Sequence, residues 1–429
     1  MLDSRAVFKW VLGLMALLMQ NVVWGHEFQG EVALRSVARI DGDESRLNYA
    51  GSRVQLRYEH HTRDFSIYSE GRFRWNGVFM GDDPYSQNAR EAYEFSFDLR
   101  EAFARLPVPG NFDLSLGWQQ VVWGKADQLR ILDQINPLDI REFVLLDMKD
   151  YRMPIPMVRL NGMVDKWETE LLYVPTYTPM YFAEAGSEYA IPLIPDAPGL
   201  RELPSVQYDS IGQGASAGFR FSRAFQGLDI GIVGLYARDY QPVFSQSLGM
   251  DADGPYLGLR EEHHRYFMAG ANFEAPLGSS YILRGEVAYV PARTFMLQGI
   301  AEGNGLERHG EVTAMLALDY TYQDWVFSTQ LMDRAIIDWH PGMMDEEHTP
   351  TFTVSAQGIN LDGHLETRVF WATMPVTDDG SWLQIKNTYL FDDHWAASLV
   401  MDFLQGPKDG FFGQLKDRDR VGLEFSYRF

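Results

Sequence analysis

From His26 to the C-terminus, apolar and polar residues alternate with a period of two in stretches of about eight to twelve residues. Val32, Leu34, Ser36, Ala38 and Ile40 share one face, and Arg35 and Arg39 the other. Val54, Leu56 and Tyr58 oppose Arg53, Gln55, Arg57 and Glu59. Phe65, Ile67, Phe73 and Trp75 oppose Ser66, Tyr68, Glu70, Arg72 and Arg74. Tyr93, Phe95, Phe97 and Leu99 oppose Glu94, Ser96, Asp98 and Arg100. This is the period of a β-strand with two unlike faces. A soluble sandwich would alternate as well, so the joins between strands decide the environment.

Those joins alternate between short and long. His61 to Arg63, Ala104 to Gly110 and Gly162 to Asp165 are short, whereas Asp41 to Asn48, Val78 to Arg90 and the stretch after Trp123 are long. The rhythm continues to the end of the chain. It is the signature of an outer-membrane β-barrel, with short periplasmic turns and long outer loops. The pattern predicts an all-β, antiparallel transmembrane barrel of about 18 strands (16 to 18), filling residues 26–429 as one domain. The physical reason is that backbone polar groups in hydrocarbon must pair internally, which a closed barrel achieves without helices.

One long join is unusual. Phe112, Leu114, Leu116 and Trp118 alternate as a strand, but the pattern stops at Trp123-Gly124 and resumes only at Met157. A structureless loop of that length is uncommon. Asp127 predicts a short helix through Leu132, Asn136-Pro137 a break, and Asp139 a second helix ended by Pro154. Nine aliphatic residues between Leu129 and Leu146 need burial. Residues 124–154 are therefore expected to fold into the lumen as a plug, with the aliphatics packed mainly on each other and on the next long loop, beside a polar wall. Trp123, Gly124, Lys125, Asp127, Asn136, Pro137, Asp139 and Arg141 are the candidate constriction residues. Ile191 to Pro195 in the next long loop is placed beside them.

The last strand ends Phe425-Ser426-Tyr427-Arg428-Phe429. Its alternating aromatics Phe425, Tyr427 and Phe429 resemble the segment read by the bacterial barrel-assembly machinery, an expected partner along with outer-membrane lipid and lipopolysaccharide. The 27 Phe, 21 Tyr and 11 Trp suit an aromatic girdle at each membrane interface. Met1 to Gly25 reads as a secretory signal: Arg5 and Lys9 precede an apolar core from Trp10 to Met19, too short to span a bilayer. Cleavage near Gly25 predicts a mature start at His26 and delivery to the outer membrane of a Gram-negative cell.

A net charge of -22 excludes non-specific nucleic-acid binding, which needs a basic footprint. The absence of cysteine excludes disulfides, thiolate metal sites and a thiol nucleophile. Turned inward, the alternation supplies a charged lumen whose candidate lining is Arg35, Arg39, Arg53, Arg57, Arg72, Arg74, Arg284, Glu286, Glu366, Arg368 and Arg428. It reads either as a ladder of arginine–carboxylate pairs or as a basic stripe attracting anionic solutes. No Gly-x-Ser-x-Gly, His-x-x-x-His helix or acid–histidine pair at useful spacing is visible, and His309, His340 and His348 look scattered over loops. The expected function is passage of a solute, with no catalytic residues, metal or cofactor; a barrel enzyme is the distant alternative.

The run Trp123-Gly124-Lys125-Ala126-Asp127, followed by Asn136-Pro137-Leu138-Asp139 and Arg141-Glu142-Phe143, resembles a family of uncharacterised proteobacterial outer-membrane proteins with Trp-Gly and Asn-Pro-x-Asp motifs after an early strand. The likeness runs from Gly117 to about Arg159. It implies a porin-like barrel and, as in some members, an association with resistance-nodulation-division-type exporters of hydrophobic or lipidic molecules. Alginate-export-type barrels are a weaker likeness in strand count and charged lumen.

Overall fold

A computed structural model describes residues 26–41, 46–80, 85–194, 197–208, 210–252, 254–300, 303–377 and 379–429. The signal segment and the proposed cleavage point lie outside these. Eighteen antiparallel strands close into one barrel. They are β1 (His26–Arg39), β2 (Arg46–His61), β3 (Ser66–Asn76), β4 (Phe95–Val108), β5 (Phe112–Gln119), β6 (Ile155–Val164), β7 (Trp167–Val174), β9 (Ser216–Phe225) and β10 (Leu228–Arg238), then β13 (Arg265–Leu277), β14 (Tyr281–Met296), β15 (Leu306–Tyr322), β16 (Trp325–Ile336), β17 (His348–Asn360), β18 (Leu365–Thr373), β19 (Ser381–Leu390), β20 (Trp395–Gln405) and β21 (Arg420–Arg428). Each pairs with the next in this series. The last closes on the first, from Glu31↔Arg428 to Arg39↔Arg420.

The outward face carries Leu34, Phe73, Phe97, Leu316, Leu331 and Leu423, all exposed. An apolar band on the outside is what a lipid-facing barrel requires. Phe425 stacks on Trp395 with ring centroids 5.0 Å apart, and Phe429 lies against Gly30, closing the seam between first and last strands. No helix among the described residues is long and apolar enough to cross a membrane.

Several expectations need correction. Tyr93 and Glu94 are not strand: Ser86 caps the Ala89 N–H and starts a helix over Gln87–Tyr93. The helix expected from Asp127 does not form, because Gly124 and Gln128 take positive φ and the local N–H groups are claimed by wall side chains. In the insert only Met148–Tyr151 is helical. Three further strands, β8 (Leu200–Leu203), β11 (Val243–Asp251) and β12 (Gly254–Glu262), form a separate sheet within stretches read as long joins.

Candidate channel lumen and its insert

The insert connects β5 to β6 and packs against inward-facing side chains. Its two ends are stapled by one residue. Asn136 is fully buried; its amide oxygen accepts the Val121 N–H at 2.8 Å, and its amide nitrogen donates to the carbonyls of Gln119 (3.0 Å) and Met153 (2.7 Å). Pro137 accepts the Met153 N–H at 2.9 Å beside it. One short polar side chain thus satisfies three backbone groups that a turn of regular structure would otherwise pair.

The first lobe, residues 120–136, lies on the wall made by β6 to β16. The indole N–H of Trp123 donates to Glu170 at 2.7 Å, and Arg159 holds the other Glu170 oxygen at 2.7 Å. Glu286 reaches from β14 into the loop and accepts the N–H groups of Lys125, Ala126 (2.8 Å) and Leu132 (3.3 Å). Successive N–H groups converging on a carboxylate make an anion nest. Gly124 is required there, since a Cβ would sit 2.6 Å from the Glu286 carboxylate. Arg284 donates to the Lys125 carbonyl and to Asp127 (2.5 Å) while paired with Asp319 (2.7 Å); Lys125 pairs with Glu274 at 3.0 Å. Gln330 exchanges two 3.2 Å hydrogen bonds with the Asp127 backbone.

Between these polar ties, Val121, Trp123, Ile131, Leu132 and Ile135 bury against Val233, Leu235, Met268, Ala288 and Met315. These wall residues face inward, because their neighbours Ile232, Tyr236, Phe267, Val287 and Leu316 are the exposed ones. The uniformly polar wall expected from alternation is therefore corrected. Both faces of these strands are apolar, one toward lipid and one toward the insert.

The second lobe, residues 137–154, is held by a set of ion pairs and one apolar anchor. Glu142 meets Arg35 (3.4 Å), Arg74 (3.5 Å) and Arg420 (3.5 Å), from β1, β3 and β21. Burial raises its pKa, but these guanidiniums outweigh burial and hold the carboxyl at about 2. Asp147 is likewise lowered against burial by Lys386 and Arg368, each 2.9 Å away. Asp150 pairs with Arg72 at 2.8 Å, and Arg100 donates to the carbonyls of Lys149, Asp150 and Arg152 at the end of the Met148–Tyr151 helix. Arg141 pairs with Asp139 at 2.5 Å and stands against the Tyr93 and Tyr181 rings. Phe143 and Leu145 bury on Phe370, Trp382 and Leu404, with Tyr189 and Ile191 of the next long loop packed alongside.

Each of the six arginines expected to line the lumen from β1 to β3 has a carboxylate partner. Arg35 and Arg74 meet Glu142, Arg39 meets Glu188 (3.7 Å), Arg53 meets Glu31 (2.5 Å) and Glu424 (3.0 Å), Arg57 meets Glu70 (2.9 Å), and Arg72 meets Asp98 (3.3 Å) as well as Asp150. Arg428 meets Glu31 at 3.0 Å and stays mostly exposed. Glu366 is exposed on the face it shares with Arg368. A cleft remains on this side, lined by Tyr49, Tyr85, Tyr93, Tyr189, Arg74, Arg141, Glu142 and Arg420.

One cluster escaped the sequence reading. Glu307 and His309, two apart on one face of β15, meet His340 from the loop before β17; Glu307 Oε2 lies 3.1 Å from His309 Nε2 and 2.8 Å from His340 Nε2. The signal was a Glu-x-His spacing on a strand, which puts both side chains on one face.

The family model described as Protein of unknown function (DUF1302) matches residues 39–429. The chain belongs to that family. No curated protein matches it in sequence. Among solved structures, the DUF1302 barrel is similar in fold to outer-membrane porins. Acinetobacter baumannii OccAB4 is 9% identical, with 96% of this chain and 99% of that one covered and a TM-score of 0.54. OccAB3 from the same organism is 8% identical, with 95% and 100% covered and a TM-score of 0.53.

Proposed function

We propose that this DUF1302 protein is an outer-membrane channel, closed at rest by its own insert, which passes a solute when the charged lobe of that insert moves aside. One observation carries the reading. The insert touches inward side chains of β14 and β16 through Glu286 and Gln330, of β1 and β3 through Arg35 and Arg74, and of β18, β19 and β21 through Arg368, Lys386 and Arg420. A segment tied to nearly the whole circumference lies across the lumen. The two lobes differ in what holds them. Both have apolar contacts and ion pairs, but the first buries the larger apolar cluster, whereas the second sets Glu142, Asp147 and Asp150 against wall cations, and salt and acid weaken those pairs.

Movement of the second lobe would enlarge the cleft beside it, where tyrosine rings and guanidiniums stand together. That lining suits a solute with both apolar and hydrogen-bonding surface. Proteoliposomes holding the purified protein test the reading. Swelling in small neutral and anionic solutes is expected to be slow for the intact protein and fast once Lys125 to Asp150 is replaced by a short Gly/Ser linker. Equal permeability of the two would move the insert out of the pathway and favour a docking role, such as the exporter association implied by the Trp-Gly and Asn-Pro-x-Asp resemblance.

A further inference from the structure

We propose that Glu307, His309 and His340 form a binding site for a borderline divalent transition ion, of the zinc, nickel or copper kind, at the outer mouth of the lumen. The three donor atoms lie within 4.8 Å of one another. Ligand bonds of about 2.0 to 2.2 Å to nitrogen and oxygen place tetrahedral donors about 3.3 Å apart, so the 3.1 and 2.8 Å separations need only a small outward adjustment. Two imidazoles with one carboxylate are the donor set for such ions, whereas calcium and magnesium require oxygen.

The site's place in the fold follows from the strand period. Met315 and Glu311 of β15 face the lumen, and counting back by twos puts His309 and Glu307 on the same face, at the end where the long loops lie. His309 is the most buried of the three and packs edge-on to Phe295, which fixes its ring. His340 begins the tight turn closed by the Met343 N–H to its own carbonyl, so the loop over 337–347 delivers it as a unit. Glu307 Oε2 sits between the two Nε2 atoms, so one carboxylate oxygen already gathers both imidazoles.

The Gly342 N–H donates to His340 Nδ1 at 3.1 Å, so His340 Nε2 carries the proton and donates to Glu307. Ion binding must move that proton to Nδ1 and turn Gly342 away, a change that glycine permits. Three protein ligands leave coordination positions open on the pore side. The ion would therefore tie the 337–347 loop to the barrel wall and offer a free position to solutes at the entrance. This inference does not depend on whether the insert gates the lumen.

Calorimetric titration of the chelator-treated, detergent-purified protein with zinc chloride tests it, alongside Glu307→Gln, His309→Ala and His340→Ala. His364→Ala, at an exposed position on a short turn, serves as control. The expected result is one saturable ion per chain, with affinity lowered about tenfold or more in each of the three variants and unchanged in the control. With copper, the electron paramagnetic resonance spectrum is expected to show two nitrogen ligands in the intact protein and one after either histidine is replaced. Absence of saturable binding, an affinity indifferent to all three substitutions, or displacement by an equal concentration of calcium would overturn the assignment. Heat-modifiable migration of every variant keeps a loss of binding distinct from a loss of fold.

Discussion

Replacing Glu142 with Gln should loosen the charged lobe without dismantling the barrel. An ordinary glutamate titrates near 4.5, and the docked carboxyl at about 2. Each pK unit is about 1.4 kcal/mol, so ionisation favours the docked lobe by about 3 kcal/mol over the protonated form. The sign follows from a lowered pKa. The contribution is complete above pH 4.5 and is lost as pH falls from 4.5 toward 2. In the variant, Arg74 keeps Asp98 at 3.0 Å and Arg420 keeps Asp402 at 2.7 Å, while Arg35 retains the Tyr49 ring at 5.3 Å. The damage is thus confined to the latch. Single-channel recording at pH 7 should show opening about ten- to a hundredfold more frequent in Glu142→Gln than in the parent, the lower figure allowing for salt screening. The parent should approach the variant's behaviour between pH 4.5 and 2. An opening frequency unchanged by the substitution, with the same acid response in both proteins, would refute the argument.

Asn136→Ala strands the Val121 N–H and two carbonyls in a buried position, at about 1 to 3 kcal/mol for each unsatisfied group, and should lower the temperature of heat modification. Leu132→Ala, at a fully buried site against the inner wall, should cost about 2 to 5 kcal/mol of lobe docking and expose the insert to protease in intact vesicles. Changing Arg53, Arg57, Arg72 and Arg74 to Ser unmasks Glu31, Glu424, Glu70 and Asp98, so the reversal potential under a salt gradient should shift toward cations.

The barrel was legible because each membrane strand repeats one physical demand, apolar toward lipid and paired backbone throughout. Loop rhythm gave the topology, and two-residue turns such as Asp165-Lys166, with Asp165 at positive φ, mark the short end in the structure. The inner wall was legible only where it is polar. At Val233 and Leu235 the inward face is as apolar as the outward Ile232 and Tyr236, and no period-two contrast survives to be read. The insert's conformation was hidden for a different reason. Its N–H groups are paired by Glu286 and Gln330, more than 150 residues away in sequence, so local helix signals at Asp127 lose to long-range partners. The Asn136-Pro137 motif was visible but its role was not, since a staple is defined by what it joins, here backbone groups at Gln119, Val121 and Met153. His340 joins Glu307 and His309 only through the fold of its loop.

Single-channel conductance after removal of the insert decides whether the insert closes the lumen. Replacing Lys125 to Asp150 by a Gly/Ser linker uncovers Val233, Leu235, Met268 and Met315, so the barrel should be less heat-stable yet still assembled. In protein that remains heat-modifiable and rich in β structure, unitary conductance should rise clearly. A properly assembled deletion with the conductance of the intact chain would contradict closure by the insert.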